Sequence, residues 1–200
     1  MEITIQTAVG GPLDVNTYIA SLPGSSSCVL VDPGCEPERV LPLLGERQVD
    51  AILLTHAHFD HIMHLQDWPD VPVYIEEHEV PALNDPFVNM SLDESVPLSI
   101  CRSVQALRDG DTFTAAGIPF KVLHTPGHTV GSCCYLTGDD LFSGDTLFRH
   151  GYGRMDLPGG SPSEMIASLR RLFHLPLETR VYPGHGAMTT IRYERGGLAP

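Results

Sequence analysis

Thr55-His56-Ala57-His58-Phe59-Asp60-His61, residues 55–61, follows directly on the apolar run of residues 51–54. A short apolar run of this kind reads as a buried strand. In extended backbone, side chains at i and i+2 share a side, so His56 and His58 can converge on one point. Asp60 continues the alternation. A turn into a helix at His61 would swing its imidazole toward a second point. Three imidazoles and a carboxylate in so short a span suit a borderline-soft divalent ion such as zinc. A solvated histidine-rich turn would account for a lone His-x-His, but poorly for the Asp-His that follows it here.

Three further segments match in kind. Pro126-Gly127-His128 follows an expected strand over residues 119–124, Ser143-Gly144-Asp145 one over 140–143, and Pro183-Gly184-His185-Gly186 one over 180–182. Each sets one ligand-type side chain on a small-residue turn at a strand's carboxyl end, where open α/β sheets tend to place their sites. Singly each is a turn; together, in this order, they point to one metal site.

Around these segments, short β-like runs alternate with helical ones. Residues 3–9 and 18–22 read as opening strands about a Gly-Gly-Pro turn, 28–32 as a buried strand stopped by Pro33-Gly34, and 73–75 as a short strand. Helical periodicity covers 36–47, with Val40, Leu43 and Leu44 on one side. It also covers 164–173, with Met165, Ile166, Leu169 and Leu172 on one face and Ser161 or Ser163 as cap. Further helices are expected from Asp60 to before Pro69, over 76–83 and near Thr189. Hairpins are expected around Ala116-Gly117 and Gly138-Asp139. Residues 84–99 and 147–160 read as loops. The first has the length of a site cover, and its Phe87, Val88, Met90 and Leu92 form either a mobile apolar lid or a packed loop.

The chain has 200 residues, 42% hydrophobic and 18% charged, which fits one layered α/β domain over residues 1–200. A net charge of −13 repels phosphate backbones and argues against nucleic acid as a partner. No apolar run is long enough to cross a bilayer, so no membrane is expected. The opening MEITIQTAVGG lacks the basic cluster and apolar stretch of a signal peptide, so a cytoplasmic location is expected. Buried, reduced thiols are expected at Cys28, Cys35, Cys101, Cys133 and Cys134, the last two facing opposite sides of a strand. His64, His78, His124, His150 and His174 fall outside the four motifs and read as surface or structural side chains.

THAHFDH at 55–61, TPGHTVGS at 125–132, SGDTLF at 143–148 and YPGHG at 182–186 closely resemble the metallo-β-lactamase superfamily, within it the hydroxyacylglutathione hydrolase (glyoxalase II) branch. Asn16-Thr17-Tyr18 and Val31-Asp32-Pro33-Gly34 resemble that family's opening strands. The resemblance implies a four-layer αββα sandwich with two divalent metal ions at one edge, zinc foremost and iron or manganese as other candidates. His56, His58 and His128 would hold the first ion and Asp60, His61 and His185 the second, with Asp145 bridging. Asp60 would also orient the attacking hydroxide in catalysis. A small-molecule acyl thioester is the implied substrate, since a thiolate of pKa about 8.5 departs without strong acid help.

The loop FRHGYGRMDLPGG at 148–160 resembles the G-x-G-R-x-D loop of single-domain glyoxalase II-like proteins and of persulfide dioxygenases. It makes Tyr152 and Arg154 candidate substrate contacts, with an Arg154–Asp156 pair that rigidifies the loop as the simpler expectation. Two other functions stay open: a persulfide dioxygenase with one iron on His56, His128 and Asp145, and a non-catalytic metal-binding module. A β-lactamase is disfavoured by the loop after Asp145 and by the N-terminus. The chain ends soon after His185, without the C-terminal helical domain of glyoxalase II, which argues against strict glutathione dependence.

Overall fold

Strands β1 (Thr4–Gly10), β2 (Val15–Ser21) and β3 (Ser27–Val31) pair antiparallel in chain order. Helix α1 (Pro37–Leu44) then carries the chain over to β4 (Gln48–Leu53), parallel to β3. After the short helix α2 (Phe59–Ile62), β5 (Val73–Glu76) and β6 (Gln105–Leu107) complete a six-stranded sheet. The second sheet is built from β7 (Thr112–Ala115), β8 (Ile118–His124), β9 (Cys133–Thr137), β10 (Asp140–Gly144), β11 (Arg180–Pro183) and β12 (Thr189–Thr190). Helix α3 (Pro162–Leu172) joins β10 to the parallel β11, and α4 (Ile191–Gly197) follows β12. This computed structural model describes residues 2–197; Met1 and the terminal Leu198-Ala199-Pro200 lie outside them. No helix among the described residues is long and apolar enough to cross a membrane.

Strand alternation makes four layers. On β3 and β4, Val29, Val31, Ala51 and Leu53 face Ile118, Phe120, Val122, Cys133, Tyr135 and Phe142 of the other sheet. Their neighbours Cys28, Leu30 and Ile52 pack outward with Val40 and Leu44 of α1. On the far side, Cys134, Leu141 and Val181 pack beneath Met165, Leu169 and Leu172 of α3. Cys133 and Cys134 thus face opposite layers, as their adjacency on a strand requires. Each fully buried Leu, Ile or Phe contributes about 1.5–3 kcal/mol, so both sheet faces are held strongly and the strand ends are rigid supports.

Several boundaries differ from expectation. Helix α1 stops at Leu44 because Gly45 takes a positive φ of 60°. The helix expected from Asp60 to Pro69 breaks after one turn, and a separate 3-10 turn spans Leu65–Asp67. Over 76–83, Glu76 instead ends β5, and only a 3-10 turn, Val80–Asn84, forms; Pro81 favours such a start but donates no hydrogen bond to a longer helix. Ile166 lies off the buried face of α3 and is 42% exposed, while Ser168 takes a buried place. Cys101 is exposed, whereas the other four thiols are buried. Thr189 belongs to β12, and the helix begins at Ile191.

Candidate metal centre

Ends of four strands meet at one rim. His56 and His58 follow β4, with Asp60 and His61 in α2; His128, Asp145 and His185 follow β8, β10 and β11. Their ligand atoms form three groups, each within 4.8 Å: His56, His58 and His128; Asp60, His61 and His185; and His56, His61 and Asp145. Asp145 reaches both ends of the cluster, with Oδ2 3.4 Å from His128 Nε2 and Oδ1 3.3 Å from His61 Nε2. Asp60 Oδ2 lies 3.2 Å from His185 Nε2 and 3.6 Å from His61 Nε2. Gly184 permits this closeness, because a Cβ there would overlap Asp145 Oδ1 and stand 2.6 Å from His61 Cε1.

Outer hydrogen bonds aim the rings. His61 Nδ1 donates to Asp32 Oδ2 at 2.9 Å, His128 Nδ1 to the Arg154 carbonyl at 2.7 Å, and His185 Nδ1 to the Leu13 carbonyl at 3.1 Å. Thr55 Oγ1 donates to Asp32 Oδ2 at 2.7 Å, so it accepts from His56 Nδ1 at 3.1 Å. All four rings therefore carry a proton on Nδ1 and turn Nε2 toward the cluster. Nε2 of His56, His58 and His61 and Oδ1 of Asp145 are buried with no hydrogen-bond partner. Buried polar atoms are nearly always paired, so His56 Nε2, His61 Nε2 and Asp145 Oδ1 together mark a ligand's place, and His58 faces them through Nδ1, 2.9 Å from His128 Nε2. Imidazole and carboxylate donors fit divalent zinc, iron or manganese.

The electrostatics agree. Burial, reinforced by neighbouring imidazoles, holds His56 well below the ordinary imidazole value and His58 at about 3, so both rings are neutral. Burial also opposes charge on Asp60, Asp145 and His61, but mutual attraction outweighs it. His61 holds both carboxylates below their usual range, and Asp60, Asp145 and Asp32 hold His61 well above its own. The field at His61 Nε2 thus calls for positive charge, whether proton or metal cation.

Four supporting residues had no role assigned from sequence. Asp32, whose side chain is 3% exposed, accepts from Thr55 N–H at 2.8 Å as well as from Thr55 Oγ1 and His61. Buried Glu79 accepts from Ala57 N–H, Thr129 Oγ1 and Gly131 N–H at 2.9–3.0 Å, tying the His56–His58 loop to the His128 loop. Asn16 Nδ2 and Tyr18 hydroxyl both donate to the Pro183 carbonyl, and Asn16 Nδ2 also to that of Gly186, which fixes the turn carrying His185. The Asn16-Thr17-Tyr18 and Asp32-Pro33-Gly34 stretches were the available signal. Glu79 had none, because its partners are distant in sequence.

A cavity of about 190 Å³ opens on the cluster, lined by His58, Asp60, His128, Asp145 and His185 together with Leu13, Phe59, Met90, Arg154 and Leu157. Arg154 is among these lining residues, and its guanidinium pairs with Asp156 through two hydrogen bonds of 2.7 and 2.8 Å. Tyr152 is 44% exposed and is not among the lining residues. Met90 is presented by a packed loop: Asn89 and Ser91 are fully buried, and Phe59 N–H donates to the Asn89 carbonyl at 2.8 Å. Phe87 and Leu92 of that loop point to solvent, 62% and 55% exposed.

Helix-clad facing sheets with imidazoles and carboxylates gathered at one rim define a metallohydrolase of αββα architecture. The chain belongs to the metallo-β-lactamase superfamily, whose family profile matches residues 10–185. Bacillus subtilis (strain 168) has a similar protein named probable metallo-hydrolase YqgX, 38% identical over 197 residues, covering 92% of this chain and 91% of that one. The hydroxyacylglutathione hydrolase of Xylella fastidiosa (strain M12) is 37% identical over 179 residues, covering 85% of this chain and 60% of that protein. Among solved structures, BLEG-1 B3 metallo-beta-lactamase superposes with a TM-score of 0.89 at 35% identity, covering 96% of this chain and 97% of that one. TTHA1623 in a di-iron-bound form gives 0.83 at 39% identity, covering 96% and 98%.

Proposed function

We propose that this metallohydrolase cleaves small acyl thioesters, using two divalent cations held by His56, His58 and His128 on one side and Asp60, His61 and His185 on the other, with Asp145 between. The observation that carries the reading is the set of buried, partnerless atoms on His56, His61 and Asp145 beside a small cavity that His58, Asp60, His128 and His185 also line. Zinc is the expected metal, because His58 gives the first group three imidazoles; the di-iron form of TTHA1623 makes iron the alternative to measure.

Bound cations of this kind supply a nucleophilic hydroxide near neutral pH and polarise a carbonyl. The protein's own part is positioning. Asp60 orients the nucleophile and receives its proton at the carboxylate. Leu13, Phe59, Met90 and Leu157 form an apolar seat for the acyl group and exclude water from it. At about 190 Å³ the cavity is smaller than the roughly 300–1,000 Å³ of pockets that engulf drug-sized ligands. A short acyl chain fits, with the thiol half of the substrate outside, near Arg154. A thiolate leaving group needs no proton donor.

Elemental analysis of purified protein, paired with hydrolysis of S-lactoylglutathione and shorter acyl thioesters before and after chelation, tests this. Metal-dependent hydrolysis that returns on adding zinc or iron is expected. Metal-replete protein inert toward every acyl thioester tried would overturn the substrate class.

A further inference from the structure

Outside the centre, one more group of ligand-type side chains comes together among the described residues. Glu76 ends β5 in the first sheet, His78 sits in the turn after it, and His124 ends β8 in the second sheet. One ligand atom from each lies within 4.8 Å of the others. We propose that Glu76, His78 and His124 form a separate site for a zinc-like divalent cation, bridging the two sheets.

The hydrogen bonds leave one imidazole nitrogen of His124 free and hold His78 against the carboxylate as an ion pair whose proton a cation would displace. His124 Nε2 donates to the Val130 carbonyl at 2.9 Å, which leaves its Nδ1 with a free lone pair. His78 Nδ1 donates to Glu76 Oε1 at 2.9 Å, leaving its Nε2 as the nitrogen for a cation, while the other carboxylate oxygen accepts the His78 backbone N–H at 2.7 Å. The Glu76 carboxylate is 2% exposed, so its negative charge is fixed in place and weakly screened by solvent. Neighbouring charges are already engaged: Glu77 pairs with Arg108, and Asp109 with Arg171. Two imidazoles and a carboxylate leave a fourth position for water, a donor set suited to zinc or copper(II).

The imidazoles of His78 and His124 now lie nearly parallel, 14° apart with centroids at 5.5 Å. Binding both to one ion requires one ring to turn, and His78, 59% exposed, is free to do so. A cation there would clamp the start of the Glu79 turn to the strand that leads into His128. It would hold less tightly than the buried centre, because His78 is open to water.

Equilibrium dialysis of the full chain against buffered free zinc, followed by elemental analysis, tests the site. His78→Ala and His124→Ala should each bind one equivalent per chain fewer than the parent, while His174→Ala, an exposed histidine elsewhere, should bind as the parent does. Copper(II) added to the zinc-loaded parent should show nitrogen hyperfine structure from two imidazoles, lost in both site variants. Thermal melts show whether each variant is folded. Equal zinc in the parent and the two folded site variants would overturn the proposal, as would an equal loss in His174→Ala.

Discussion

Asp32→Asn removes one oxygen from the buried hub behind His61 and changes almost nothing in shape. The native carboxylate accepts from Thr55 N–H at 2.8 Å through Oδ1, and from Thr55 Oγ1 at 2.7 Å and His61 Nδ1 at 2.9 Å through Oδ2. Asparagine tolerates the positive φ of 51° at this position. Its single oxygen must stay with the Thr55 N–H, which has no other acceptor, so its NH₂ takes the Oδ2 place. The Thr55 hydroxyl can rotate to accept. His61 Nδ1 can accept only by moving its proton to Nε2, which then points at the cluster and blocks a cation. Loss of such an outer partner costs about 10–100-fold in metal affinity, roughly 1.4–2.8 kcal/mol. Metal-free stability should fall by only about 1–3 kcal/mol, since one charged acceptor is lost. Competition against a chromophoric chelator gives the affinity, and urea unfolding of the metal-free protein gives the stability. Parent-like metal affinity in folded Asp32→Asn would refute the assignment of Nε2 as the cluster-facing nitrogen through which His61 would bind a cation.

Other perturbations separate the roles of neighbouring groups. Gly184→Ala places a methyl against Asp145 and His61; metal binding should drop at least tenfold, and parent-like binding would show the turn to be pliant. Glu79→Ala strips an acceptor from Ala57 and Gly131 N–H. It should cost about 2–4 kcal/mol in urea unfolding together with much of the activity, and an unshifted unfolding midpoint would count against the tie between the two ligand loops. Arg154→Ala should raise KM for an anionic thioester several-fold with an unchanged Tm, because the Asp156 pair is open to solvent and adds little to stability. A fall in Tm with KM unchanged would assign the arginine to loop rigidity alone.

Local chemistry made the turns that gather at the rim readable. His56, His58, Asp60 and His61 lie within six consecutive residues, and His128, Asp145 and His185 sit on glycine turns after apolar strands, so short-range rules suffice to place them. The αββα order was readable because strand runs and helix runs differ in period. What escaped depends on distant contacts. Asp32 and Glu79 find their donors more than twenty residues away; the stretch around Asp32 resembles the family's without showing what its carboxylate holds, and nothing near Glu79 in sequence marks a buried carboxylate. β6 is three residues long, two of them exposed, and exists through its register with β5. Ile166 was misplaced because the i, i+3, i+4, i+7 face of α3 runs Met165, Ser168, Leu169, Leu172. A serine occupies the site that an apolar count assigns to isoleucine; its hydroxyl donates to the Pro126 carbonyl at 2.7 Å, beside His128.

Anomalous diffraction from crystals soaked in zinc, or grown with iron, tests the central claim most directly. Two peaks are expected at the strand-end rim, one ringed by His56, His58 and His128, the other by Asp60, His61 and His185, with Asp145 touching both. A well-ordered rim that shows no anomalous density among those seven side chains would contradict it.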